Sequence, residues 1–246
     1  MSLELKNISK RFEKDENAVL EDINLTIDKG AFVSIVGKSG CGKSTLLNLV
    51  AGLEHPTTGE ILLNGNRVTK PGADRCVMFQ EHGLFPWLNV IDNVKFGMQM
   101  NGFSKTQQQE RAEYYLQMVD LWEYRDYPIH QISGGMRQRT ALARALSMDA
   151  EVLLMDEPFS ALDKQTSNQL REQLQSIWMK THQTILFITH SVEEAVYLSD
   201  RVVVLSPDVR GIRDVVDIPL IRPRHVYDQE FTVLRHRLLD EVRGEV

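Results

Sequence analysis

The chain has 246 residues, enough for one large domain, or a domain with an inserted subdomain, around a sizeable core. Lys and Arg number 28 against 34 Asp and Glu, and the resulting net charge of -6 weighs against a nucleic-acid binder. No apolar run approaches the roughly 18 residues that a membrane span needs, and the start, MSLELKNISKRF, has no signal-peptide core.

In chain order, residues 1–30 read as short strands and turns, with Leu3 and Leu5, then Leu20, Ile23, Leu25 and Ile27, partly alternating. Ala31-Phe-Val-Ser-Ile-Val36 fits a buried strand and runs straight into Gly37-Lys-Ser-Gly-Cys-Gly-Lys-Ser-Thr45. Leu46, Leu47, Val50 and Leu53 then fall on one helical face. Pro56-Thr-Thr-Gly-Glu60 predicts a turn, followed by the strand Ile61-Leu-Leu63 and a hairpin turn at Asn64-Gly65. Residues from about 88 to 148 look helical. Strand signals return at Val152–Met155, Ile185–Ile188 and Val202–Leu205, and strands alternating with helices imply a largely parallel sheet. After Pro207 comes a tail in which Phe231, Leu234, Leu238, Leu239 and Val242 form an amphipathic stripe.

The Gly37–Thr45 stretch is a complete P-loop in its confirming context, strand before and helix after. Backbone N–H groups around Ser39, Gly40, Cys41, Gly42 and Lys43 can wrap phosphates, helped by the positive end of the helix. Lys43 is expected to reach the β- and γ-phosphates of a nucleotide and Ser44 to hold Mg²⁺. P-loops serve kinases, GTPases and ATPases alike, so the motif alone does not name the reaction. The same helix start and Lys43 favour a Cys41 thiolate, against the plainer alternative of a small buried filler. Cys41 and Cys76 form no CxxC pair and suggest a reducing, cytoplasmic setting.

The apolar strand Val152-Leu-Leu-Met155 delivers Asp156 to its C-terminal end to hold Mg²⁺ through water, and Glu157 follows, able to polarise an attacking water. Asp208-Val-Arg-Gly211 spells a GTPase-like DxxG, but no NKxD accompanies it and it reads as coincidence. Ile132-Ser-Gly-Gly-Met-Arg-Gln-Arg139 looks like a second phosphate-binding helix start. Ser133 can cap it, Gly134 and Gly135 permit close backbone approach, and Arg137, Arg139 and Arg144 are expected to add positive charge nearby.

With these motifs in this order, the sequence resembles the ATP-binding cassette (ABC) ATPases over essentially its whole length. Phe12 matches the aromatic that stacks on adenine, Gly37–Thr45 Walker A, and Gln80 the Q-loop glutamine, which links Mg²⁺ and water to the helical region. Ser133-Gly-Gly135 matches the signature, Val152–Glu157 Walker B, Ser160-Ala-Leu-Asp163 the D-loop, and His190 the switch histidine that contacts the γ-phosphate. Ile132, Met136 and Lys38 depart mildly from the usual pattern, at positions that supply no essential side chain.

The resemblance implies an α/β fold: a P-loop NTPase core with a mostly parallel sheet, an N-terminal antiparallel β region and an inserted α-helical subdomain. Expected boundaries are 1–87 and 149–206 for the core, 88–148 for the helical signature subdomain and 207–246 for the tail. It implies ATP and Mg²⁺ as ligands, Asp163 across the dimer contact, and a head-to-tail dimer with ATP between one P-loop and the other copy's signature. Two uses of ATP are weighed. A soluble ABC ATPase acting on DNA or ribosomes usually needs a long coiled-coil insert or tandem cassettes, and neither is present. The motor subunit of a membrane transporter fits better, on the cytoplasmic face of the cell membrane with separate permease subunits and, indirectly, a solute-binding protein. In that case Leu84, Phe85, Trp87 and Leu88 form a docking groove for the permease, unless they are core. QEHGLFPWLNV and Ile218-Pro-Leu-Ile-Arg-Pro-Arg224 are similar to the nitrate/sulfonate/taurine branch of bacterial importers. About 40 residues follow Leu205, too few for the regulatory domain of sugar-type importers.

Overall fold

A computed structural model describes residues 2–12, 17–80 and 83–244. Its elements follow as β1 (Ser2–Lys10), β2 (Leu20–Asp28), β3 (Phe32–Gly37), α1 (Lys43–Ala51), β4 (Thr58–Leu63), β5 (Asn66–Arg67), β6 (Arg75–Met78), α2 (Val90–Met100), α3 (Lys105–Met118), α4 (Gly134–Ser147), β7 (Val152–Asp156), α5 (Lys164–Thr181), β8 (Thr184–Ile188), α6 (Val192–Leu198), β9 (Arg201–Ser206), β10 (Gly211–Asp217) and α7 (Gln229–Arg243). Two compact units result, one of Met1–Gly72 with Thr181–Val246 and one of Ala73–Lys180.

The first unit opens with an antiparallel sheet ordered β2-β1-β4-β5. Leu5 faces Leu25 on one side and Ile61 on the other, so the alternating leucines and isoleucines share its buried face. Asn64 (φ 54°) and Gly65 (φ 76°) make the expected two-residue turn between β4 and β5. The preceding segment corrects the sequence expectation: it becomes strand from Thr58, two residues before the anticipated turn is over. Gly59 permits this, because it bulges so close to β1 that a Cβ would lie 2.4 Å from the Lys6 and Asn7 carbonyl oxygens.

In the same unit β3 pairs in parallel with both β8 and β9, and β10 turns back antiparallel on β9. All six residues of β3 are buried, as a strand covered on both faces requires. Phe32 and Phe187 meet beneath it with ring centroids 5.7 Å apart. Leu46, Leu47 and Val50 of α1 are buried as expected, whereas Leu53 is 48% exposed, because the helix ends at a left-handed Gly52. Asp208 sits in the β9–β10 turn. Phe231 and Leu238 are the fully buried members of the α7 stripe.

In the second unit β6 and β7 run parallel, with Met78 opposite Met155. Helices α2, α3 and α4 pack through Val94, Met98, Ala112, Leu116, Leu142 and Leu146. A Ser104–Gln107 capping box opens the polar α3. No helix among the described residues is long and apolar enough to cross a membrane.

Candidate nucleotide-binding site

The first unit carries the P-loop, Phe12 and His190. The C-terminal ends of β3 and β8 lie side by side, Ile35 opposite Ile188, so Gly37 and His190 leave the same edge of the sheet, where ligands of parallel sheets bind. At Gly37 the chain passes so close to β9 that a Cβ would sit 2.4 Å from the Leu205 carbonyl oxygen and 2.7 Å from Cys41 Sγ. Gly42 then starts α1 at φ 98°, with no side-chain cap and no acidic residue in the first turn. A glycine N-cap brings no side-chain acceptor of its own, so this helix start suits an anion.

Lys43 is buried, and its Nζ donates to the carbonyls of Gly37 at 2.9 Å and Lys38 at 3.2 Å, closing the loop into a ring. Ser44 is exposed and Thr45 half-buried on the same turn; Ser39 and Gly40 are exposed at the crest. Lys38 reaches outward to the Arg243 carbonyl oxygen at 2.9 Å. Such a cradle, with a cation within it and a hydroxyl at its rim, fits a phosphate chain and a Mg²⁺ ion. Cys41 departs from expectation: it is 2% exposed, and burial pushes its thiol up, outweighing the pull of Lys43. It is the small buried filler.

Phe12 follows β1, half-buried, with Lys10 Nζ 4.8 Å from its ring centroid. His190 is exposed on the β8–α6 turn, which Ser191 fixes by accepting from Glu194 N at 3.3 Å.

The second unit carries the remaining motifs. Gln80 and Glu157 each lie just past the end of a strand, β6 and β7 respectively. Gln80 Nε2 donates to Ser160 Oγ at 3.1 Å, and that hydroxyl donates to the Glu157 carbonyl at 2.9 Å. Glu157 itself adopts φ 45°, a left-handed conformation uncommon outside glycine. Asp156 is half-buried at the last position of β7. Asp163 is exposed, and its carboxylate caps α5 by accepting from Gln165 N, Thr166 N and the Thr166 hydroxyl. The Thr166 hydroxyl leads in holding that carboxyl below its usual range.

Ser133 caps α4, accepting from Met136 N at 3.2 Å, again with no acidic residue in the first turn. A Cβ on Gly134 would meet only Arg137 Nη2 at 3.8 Å, while one on Gly135 would lie 2.6 Å from Thr166 Cγ2 of α5. Arg137 donates to the Ile132 carbonyl at 2.7 Å and so stays by the signature. Arg144 does not. It lies near the far end of α4, and its Nη1 donates to the Gly83 carbonyl at 2.7 Å.

Two residues emerge that the motifs did not single out, Gln138 and Asn93, and a third, Ser160 of the D-loop stretch, takes a part the motif did not suggest. Ser160 bridges Gln80 to Glu157. Gln138, buried on α4, donates to the Pro158 carbonyl next to Glu157. Asn93, fully buried on α2, accepts from Phe85 N at 2.8 Å and donates to the Phe85 and Asn89 carbonyls. For Gln138 and Asn93, a polar residue in an apolar helical face was the only sequence signal.

A family profile described as "ABC transporter" matches residues 20–160. An ABC transporter ATP-binding protein of Methanocaldococcus jannaschii is 47% identical over 248 residues, covering 100% of this chain and 93% of that relative. The chain belongs to the ABC transporter family of ATP-binding proteins. This cassette is also 49% identical over 208 residues to a nitrate import ATP-binding protein of Synechocystis, covering 84% of this chain and 78% of that one. An aliphatic sulfonates import ATP-binding protein of Bacillus thuringiensis is 43% identical, with 98% and 96% covered. Among solved structures, a dimeric ATP-binding cassette in a post-hydrolysis state, bound to ADP and Pi, superposes with a TM-score of 0.76 at 28% identity, covering 89% of this chain and 100% of that chain. The cassette is therefore an ATPase of the α/β P-loop class.

Proposed function

We propose that two copies of this cassette bind ATP head to tail, between the P-loop of one and Ser133–Gly135 of the other, to drive solute import. One observation carries this: both α1 and α4 begin without an acidic residue in the first turn, on turns containing glycine. A chain with two such helix starts suits a nucleotide contacted from two sides.

The roles follow from chemistry. Lys43 and the backbone of Ser39–Ser44 hold the phosphates, Thr45 supports them, and Phe12 stacks on the base. Ser44, Asp156 and Gln80 hold Mg²⁺, which neutralises charge on the phosphate oxygens when bound. Glu157 orients and deprotonates the attacking water, His190 donates toward the γ-phosphate, and Asp163 lies across the dimer contact. The functional division is a core of 1–87 and 149–206, a signature subdomain of 88–148, and a tail of 207–246.

Membrane subunits dock on Leu84–Leu88 at the cytoplasmic face, and a solute-binding protein acts through them. The substrates named for relatives, nitrate, aliphatic sulfonates and taurine, support one of these or a similar small solute. Glu157→Gln tests the assignment: ATP affinity is kept, turnover stops and an ATP-bound dimer accumulates in gel filtration. Turnover equal to that of the parent overturns it.

A further inference from the structure

Helix α4 begins at the signature and ends beside the segment that follows Gln80. From Ser133 to Arg144 is eleven residues, about 16 Å along a helix. At that far end the Arg144 guanidinium is half-buried, bonded to the Gly83 carbonyl at 2.7 Å and 5.9 Å from the centre of the Phe85 ring. Phe85 in turn touches Phe96 of α2, centroids 4.3 Å apart, and Trp87 at 5.4 Å. Trp87 is 75% exposed. One path of contacts thus runs from a solvent-facing indole, through a phenyl ring and a guanidinium, to the helix whose first turn is the signature.

We propose that Arg144 is a positioning residue that couples the Gly83–Leu88 segment to the signature. The inference rests on the docking role proposed for that segment. An α-helix of this length moves as one piece, so a shift of the Gly83–Phe85 backbone is passed to Ser133 without deforming α4. Arginine suits the junction: its planar fork bonds the carbonyl while its face covers the ring, which a lysine ammonium cannot do together. Burial lowers the guanidinium pKa, yet an arginine remains charged at neutral pH. A charge held in a half-buried place needs these contacts, so the junction does not slide freely.

The test uses amide hydrogen exchange on the full chain, in a Glu157→Gln background, with and without MgATP. The Phe85 and Leu88 amides report directly, since Phe85 N is bonded to Asn93 Oδ1 of α2 and Leu88 N to the Phe85 carbonyl within the segment. ATP is expected to slow their exchange at least threefold with Arg144 present. With Arg144→Met the same comparison is expected to give no change, while ATP affinity stays within twofold. Arg144→Lys keeps one donor and is expected to restore part of the effect; it is the variant measured if Arg144→Met does not fold. Equal ATP protection in parent and variant overturns the proposal. So does faster exchange throughout α4 without ATP, which marks a merely structural role. The docking role is scored separately, by whether Trp87→Ala still retains the membrane subunits, so either idea can fail alone.

Discussion

The side-chain amide of Gln80 rests on the hydroxyl of Ser160, 3.1 Å away, and that hydroxyl is itself bonded to the backbone of Glu157. The glutamine proposed to hold Mg²⁺ and the glutamate proposed to activate water thus share one small intermediary. Ser160→Ala removes it without adding bulk. A single hydrogen bond of this kind is worth about 1 kcal/mol, so kcat for ATP hydrolysis is expected to fall about fivefold with KM little changed, and Ser160→Thr to recover most of it. Steady-state ATPase measurements decide this; an unchanged kcat removes Ser160 from the machinery.

Phe85 and Trp87 separate two roles that sequence alone left open. Phe85 is half-buried against Phe96, whereas Trp87 stands mostly in solvent. Trp87→Ala is expected to leave stability within about 0.5 kcal/mol yet to weaken retention of the membrane subunits. Phe85→Ala is expected to cost on the order of 2 kcal/mol through lost ring packing. Denaturant melts of the two variants, read beside co-purification, distinguish docking from core.

The strands read at 31–36, 152–155, 185–188 and 202–205, each within one residue of its observed bounds, were legible because each is local, a run of apolar residues. What was not legible joins distant stretches. Gln80 and Ser160 are 80 residues apart, and Arg144 and Gly83 are 61 apart. Proximity to the signature in sequence suggested that Arg144 would serve it directly; three turns of helix send its guanidinium elsewhere. Helical periodicity likewise carried Leu53 one step too far, past the glycine that ends α1.

Desolvation pushes both thiols above their ordinary range, although only Cys41 is fully buried. Cys41 is expected to resist alkylation in the native cassette and to react once unfolded, contrary to what its neighbours on the P-loop suggest. Cys76 is pushed up to about 11 from an ordinary 9.0. Its folded form therefore binds the proton more tightly than the unfolded chain. That stabilisation is complete below about pH 9 and is lost as pH rises towards 11, by on the order of 2 kcal/mol. Urea melts at pH 8 and above, comparing parent with Cys76→Ala, read this directly: the parent is expected to lose its advantage as the pH rises.

Arg224 is 3% exposed, and its guanidinium gathers the carbonyls of Val196, Ser199, Leu220 and Ile218, tying the end of α6 to the chain after β10. Arg224→Met leaves those acceptors without their donor and is expected to cost about 3 kcal/mol. A shift in the urea midpoint with an unchanged slope is the expected signature; loss below 1 kcal/mol would mean that water replaces the guanidinium.

Asn93 has a consequence for how fast and how tightly any partner meets this surface. With its amide bonded to the backbone of Phe85 and Asn89, Asn93 ties the main chain beneath Trp87 to α2, so this stretch moves with that helix. Association then immobilises little more than one indole, an ordering cost of about 1 kcal/mol, instead of freezing several residues of loop. If the proposed docking holds, a helix from the membrane subunit would meet a surface already braced, and more of the free energy of contact would remain available for coupling to the nucleotide.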